Sequence, residues 1–298
     1  MLTLEALKRK ISTADDLLTV VKAMKSLAAA NMRQLEAAAG AVGEFDEVMD
    51  LAWRAWFRGG SPLPPASRPG PAVCLAMGTD QGMCGQFVEM AAEAAVEHVR
   101  TLAGQGHTVE VWSMGERMAP ALADRGYAPA RTFDLPGGLS GTDAAVYDLV
   151  AAYEACAGES CAMTLAVVAN EPPPEGEAGG GYRTQARRLL PKDRAFAASV
   201  RAKGWPRRCL PMLGPHSPDM LRRLFRYALY VDLYRAMALS MAAENAARLA
   251  AMQAAEKNIR DRHEELQGEF RETRQNLITA ELLDIASGFE AITGPGAA

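Results

Sequence analysis

The chain has 298 residues, 49% of them hydrophobic and 23% charged, with a net charge of −4. That balance suits a folded protein with one sizeable core or two modest ones and excludes a disordered chain. The slight negative charge argues against nucleic acid or an anionic membrane as the general partner, local basic patches aside.

Five cysteines, Cys74, Cys84, Cys156, Cys161 and Cys209, are odd in number and scattered, which reads as reduced, packed thiols rather than a disulfide framework. Met1 to Arg9 carries helical charge and spacing instead of a signal peptide, and no window reaches the roughly 20 apolar residues of a membrane span.

In chain order, Leu4, Leu7, Ile11, Ala14, Leu18, Val21, Ala28, Leu35, Val42, Phe45, Met49, Ala52 and Trp56 step by three, four or seven. The spacing predicts one helix with a single apolar stripe over residues 1–58, ended by the Gly59-Gly60 and proline-rich run that follows. Ala72 to Met77 reads as a buried strand, Gly78 to Gly85 as a glycine-rich turn and Gln86 to Leu102 as a helix. Thr108 to Met114 is a second strand, Gly115 to Arg125 a short helix and Arg131 to Leu135 a short strand. A helix from Thr142 to Ala157 and a strand from Cys161 to Ala169 follow, with Tyr182 to Leu190 pairing back as a hairpin strand. Alternating strands and helices imply a mainly parallel sheet over residues 72–191, then a connecting loop over 192–217.

Residues 218–292 form the longest periodic stretch. From Asp219 to Ile292 there is no proline, and the apolar positions run from Leu224 through Met241, Met252, Leu266, Phe270 and Leu277. Ile278, Leu282, Ile285, Phe289 and Ile292 continue one position out of phase. A helix of that length measures on the order of 110 Å and has to project from a domain of this size. The first helix supplies a partner for its stripe. The fold class is thus α/β, with a long antiparallel coiled coil of the terminal helices and an inserted, mainly parallel-sheet, Rossmann-like domain.

Chemistry-bearing motifs are sparse. The glycine turn lacks the Gly-Lys-Ser/Thr ending of a phosphate loop and the spacing of a dinucleotide turn, so a tight turn capped by Asp80 fits it better. Cys84 near a helix start invites a nucleophile reading, but no histidine or aspartate signature accompanies it. Cys156 and Cys161 are a weak pair for a thiol switch or a metal. The pattern assigns no catalytic residue, cofactor or metal.

Three segments together resemble the gamma subunit, the central rotor shaft, of F-type ATP synthases. They are TVVKAMKSLAAANMRQ (Thr19 to Gln34), GTDQGMCG (Gly78 to Gly85), and SMAAENAARLAAMQAAEKN (Ser240 to Asn258) continued by RQNLITAELLDIASGFEAI (Arg274 to Ile292). Gln81 and Gln86-Phe87-Val88 depart from the family pattern and fit a divergent, alternate bacterial F-type ATPase.

The resemblance implies a non-catalytic subunit that couples rotation of a membrane ion-translocating ring, carrying protons or sodium, to the ATP sites of a catalytic head. Its partners would be the alpha and beta subunits of that head, the epsilon subunit and the c-subunit ring, with no nucleic acid. Its place would be peripheral, on the cytoplasmic face of the bacterial membrane. By the same resemblance Lys22, Met24, Lys25, Arg274, Gln275, Thr279 and Glu281 match positions that contact the head. Asp193 and Trp205 fall in the loop expected to form a foot. The alternative from the bare pattern is a stand-alone α/β binding module with a self-associating coiled coil.

Overall fold

The computed structural model describes residues 3–60, 63, 69–158, 163–173, 181–206, 208–209, 211 and 217–293, with side chains through 289. Two helices frame the sequence, α1 (Leu4–Arg58) and α6 (Pro218–Thr293). Between them lie β1 (Pro71–Met77), α2 (Phe87–Gly104), β2 (Thr108–Met114), α3 (Met118–Ala123), β3 (Arg131–Phe133), α4 (Leu139–Ala157), β4 (Thr164–Glu171), β5 (Arg183–Leu190) and α5 (Arg194–Ala202). The chain divides into two compact units, Met1–Leu27 with Ala250–Ala298, and Ala28–Leu249.

The larger unit is built on a sheet of order β3-β2-β1-β4-β5, parallel except for β5, which runs antiparallel to β4. Its central strands β1 and β4 are buried along nearly their whole length, and this is why they read as unbroken apolar runs. Alternation along β1 sends Cys74 and Ala76 to a core with Phe87, Ala91, Ala95 and Leu122 of α2 and α3. Val73, Leu75 and Met77 face the other way, into a core with Leu149 of α4, Trp53 of α1 and Leu233 of α6. Here α6 is wrapped on nearly every side, with Met237, Ala238, Ala242 and Ala243 fully buried. It runs antiparallel to α1: Asp46 pairs with Arg235, and Trp53 meets Phe225 with ring centroids 5.2 Å apart.

In the smaller unit the same two helices pair alone. Leu7, Ala14 and Val21 are buried at seven-residue steps, with Met252 and Leu266 buried on α6, the spacing of a coiled-coil seam. Asp15 faces His263 at 3.1 Å and Lys25 faces Glu256 at 2.6 Å, so one index rises as the other falls and the pair is antiparallel.

Four expectations need correction. Phe45 keeps the stripe's phase yet is 65% exposed, because it borders a groove that nothing described fills. Leu277, Leu282, Ile285 and Phe289 are exposed as well. Leu4 of α1 shares a shallow hollow with Phe270 and Arg274, and the turns of α6 from Leu277 to Ile285 are exposed. The supposed connecting loop contains α5, whose N-cap is Asp193. Asp80, expected to cap its own turn, instead accepts the Glu116 backbone N–H at 2.8 Å. Cys161 lies outside the described residues.

Candidate protein-interaction surfaces

The glycine turn after β1 sits at the C-terminal edge of the sheet, where β2 leaves to one side and β4 to the other. Such switch points are where α/β folds usually take ligands. Here the turn's polar groups are engaged by the protein's own helix. Thr79, fully buried, donates through Oγ1 to Glu244 Oε1 on α6 at 2.7 Å, and Arg248 pairs with the same oxygen at 2.5 Å.

Gly115, at φ +92°, permits the approach, since a Cβ there would lie 2.9 Å from the Thr79 backbone nitrogen. The Arg117 backbone N–H donates to the Thr79 carbonyl at 3.1 Å and closes the arrangement. Burial, followed by the nearby Glu244 carboxylate, pushes the Cys84 thiol up, and burial pushes Cys74 up to about 12. Both thiols are held protonated at neutral pH, opposite to what a cysteine nucleophile needs. This corner joins the sheet to α6.

On α1, Lys22 is exposed, Met24 is half-buried and Lys25 is drawn inward to Glu256. Arg260 reaches the other oxygen of Glu256 at 2.5 Å. The Lys25 ammonium donating to it holds the Glu256 carboxyl below the usual range. Lys25 is therefore engaged in joining α1 to α6, and Lys22 is the more available cation.

Arg274, Gln275, Thr279 and Glu281 all lie exposed on α6. Thr279 Oγ1 donates back to the Gln275 carbonyl at 2.9 Å, leaving that hydroxyl engaged with its own helix. Between and beyond them Leu277, Ile278, Leu282, Leu283 and Ile285 face outward, so a turn-by-turn mixture of apolar and charged side chains is presented on a single helix.

Asp193 and Trp205 are brought close to α5 but are used locally. The Asp193 carboxylate accepts the Phe196 backbone N–H at 2.8 Å and pairs with Arg188, and the first of these holds its pKa below the ordinary value. Trp205 Nε1 donates to the Cys209 carbonyl at 2.8 Å.

A further surface escaped sequence reasoning: a groove of about 1200 Å3 in the larger unit, lined by Val42, Phe45, Tyr147, Tyr227, Tyr230 and Tyr234, among others. Tyr230 donates to Asp143 Oδ1 at 2.7 Å, and burial followed by that bond raises its pKa. The signal was Tyr227, Tyr230 and Tyr234 at helical spacing near the start of α6, between the apolar positions from which the stripe was read.

Among the described residues no helix is long and apolar enough to cross a membrane. A family model described as ATP synthase matches residues 3–292. ATP synthase gamma chains of Granulibacter bethesdensis and Parvibaculum lavamentivorans are each 28% identical, over 98% of this chain and all of their own length.

Among solved structures, a chain of the Euglena gracilis mitochondrial ATP synthase (OSCP/F1/c-ring) matches with TM-score 0.65 at 16% identity, covering 99% of this chain and 96% of that one. A chain of the rotor from the same organism matches at TM-score 0.60 and 14% identity, covering 92% and 98%. These two likenesses speak to the fold: long terminal helices around a mostly parallel sheet. The family model, spanning nearly every residue, speaks to descent, and by it this chain belongs to the ATP synthase gamma-subunit family.

Proposed function

We propose that this chain is the non-catalytic central shaft of an F-type ATP synthase, coupling rotation of a membrane ion-translocating ring to sequential conformational change at the ATP sites of a head built from alpha and beta subunits. The observation that carries the reading is the outward-facing apolar series Leu277, Ile278, Leu282, Leu283 and Ile285 on a helix whose earlier turns are buried.

Fully burying one such side chain is worth roughly 1.5–3 kcal/mol, so a row of them calls for a surrounding surface. An apolar contact is non-directional. A hydrogen-bonded one would break bonds worth about 0.5–1.5 kcal/mol each at every turn. A greasy helix inside a sleeve can therefore turn where a polar one would catch.

Coupling follows from asymmetry. A rotor can shift a site between conformations only by contacting them differently, and a rod with one apolar side and scattered charges offers each surrounding site a different face. We assign Arg274, Gln275, Thr279 and Glu281 to contacts with the head near the end of α6, and Lys22 with Met24 to a salt-sensitive contact lower on α1. Lys25 acts mainly through its bond to Glu256. The division into residues 1–58, 72–191, 192–217 and 218–292 then has a functional sense: two shaft helices, a domain facing the epsilon subunit, and a foot toward the c-subunit ring. The complex would sit on the cytoplasmic face of a bacterial membrane.

The test is assembly. Purified chain mixed with alpha and beta subunits is expected to yield a complex with one copy of the chain and rotation-coupled ATP hydrolysis. Stable homodimers that ignore those subunits would overturn the reading.

A further inference from the structure

Leu4, the first residue of α1, lies beside Phe270 and Arg274 of α6, and residues 275–292 carry α6 about 27 Å further. On this extension Ile278, Leu282, Ile285 and Phe289 are 47% to 69% exposed. They step by four, three and four residues, which puts all four on one face. At about 100° per residue that face lies roughly a quarter turn round the helix from Met252 and Leu266, which are buried in the seam with α1. A second helix can therefore lie along it without meeting α1. Leu283, likewise exposed, belongs to the far side of the extension.

The face is complementary to itself. Spacing of four, three and four reads the same in both directions, so an antiparallel copy brings Ile278 opposite Phe289 and Leu282 opposite Ile285, each contact made twice about a two-fold axis. That axis passes between Leu283 and Asp284, which is also the midpoint of residues 275–292. Two extensions laid side by side in this way overlap along their whole length, and each α1 stops short of the other copy.

Charge and area agree with such a pair. Asp284, the charge nearest the axis, points away from the apolar face, so two carboxylates are not pressed together where the helices meet. Four half to two-thirds exposed side chains give on the order of 500 Å2 from each copy, about 1,000 Å2 in all, which is at the low end for a specific interface. The association this area supports is weak and reversible, and it leaves Leu277 and Leu283 uncovered. An enclosing sleeve covers those as well, so it displaces the second copy.

We propose that the unassembled chain pairs with a second copy of itself through Ile278, Leu282, Ile285 and Phe289, forming an antiparallel, two-fold dimer of α6 ends. The inference rests on the shaft reading above only in taking the head as the later occupant of the same turns. The dimer keeps this apolar face out of water until the alpha and beta subunits enclose it, and its two-fold closure limits association to two copies, where an open stripe would recruit more.

The experiment is sedimentation of the full-length chain from about 0.5 to about 100 μM, a span chosen for a micromolar dimer. Expected are monomers at the low end, dimers at the high end and nothing larger. Leu282→Glu/Ile285→Glu should raise the dissociation constant by about tenfold or more, while Leu283→Glu, on the far side of the same turns, leaves it unchanged. Orientation is read by mixing chains carrying Ile278→Cys with chains carrying Phe289→Cys, oxidising, and identifying the linked peptides by mass spectrometry. Links between the two introduced positions should dominate, because two copies of position 278 lie about 16 Å apart along the axis. A chain that stays monomeric throughout overturns the proposal, as do association indifferent to Leu282→Glu/Ile285→Glu, an equal loss with Leu283→Glu, and links between two 278 positions formed as readily. Adding alpha and beta subunits separates this inference from the shaft reading. A monomeric chain that still assembles loses only the dimer, whereas a dimer that those subunits fail to dissolve removes the shaft.

Discussion

Two stretches of α6 are both rich in apolar residues and have opposite fates. Around Met237 to Ala243 the helix is buried on almost every side, and the neighbouring Glu244 is satisfied within the protein by Thr79 of the turn after β1. From Leu277 to Ile285 leucine- and isoleucine-rich turns face outward. Helical periodicity says that a stripe needs a cover; it does not say whether the cover belongs to the same chain. In the first stretch stability resides in the chain itself, and in the second, on the proposed function, a partner subunit supplies the cover.

The contrast can be broken or sharpened by mutation. Glu244→Ala should have the largest effect, about 3–5 kcal/mol of lost stability, because it leaves Arg248 largely buried without its carboxylate and Thr79 without an acceptor. Denaturant unfolding measures it; a loss below about 1 kcal/mol would mean that the corner is held by the sheet alone. Met241→Ala, a cavity in the same stretch, should cost about 2–5 kcal/mol by the same measurement.

Leu283→Ala in the exposed stretch should shift stability by no more than about 0.5 kcal/mol. Leu283→Glu should likewise leave the isolated chain folded, yet slow turnover of the assembled head through added friction. Unchanged turnover would count against the bearing. The smallest expected effect is a pH dependence. Glu256 is held below the ordinary value of 4.5 by Lys25, so its contribution is fully present above that value and is lost as pH falls through the depressed one. Glu256→Gln should flatten that acid limb of the unfolding curve without altering the limb above neutral pH.

Much of this was legible in the sequence, for definable reasons. β1 and β4 are covered on both faces and so read as unbroken apolar runs, and Leu7, Ala14 and Val21 show their seam because seven-residue spacing survives any loop. What stayed hidden was set by partners distant in sequence. Thr79 and Glu244 lie 165 positions apart, so neither segment alone shows their bond. α5 spans nine residues beside a proline-rich run, too short for its period to stand out. Of the proposed contact residues, Arg274 and Glu281 are exposed, and the inward bonds of Lys25, Asp193 and Trp205 could be seen only in three dimensions.

On the proposed function, α6 ends as a turning surface enclosed by other subunits. Its most direct test is single-molecule rotation: the chain assembled with immobilised alpha and beta subunits, a reporter rod fixed to its α/β domain, and ATP supplied. Sustained rotation in one direction, slowed by Leu283→Glu, is the predicted result. A rod that stays still while the same complexes hydrolyse ATP would contradict the account.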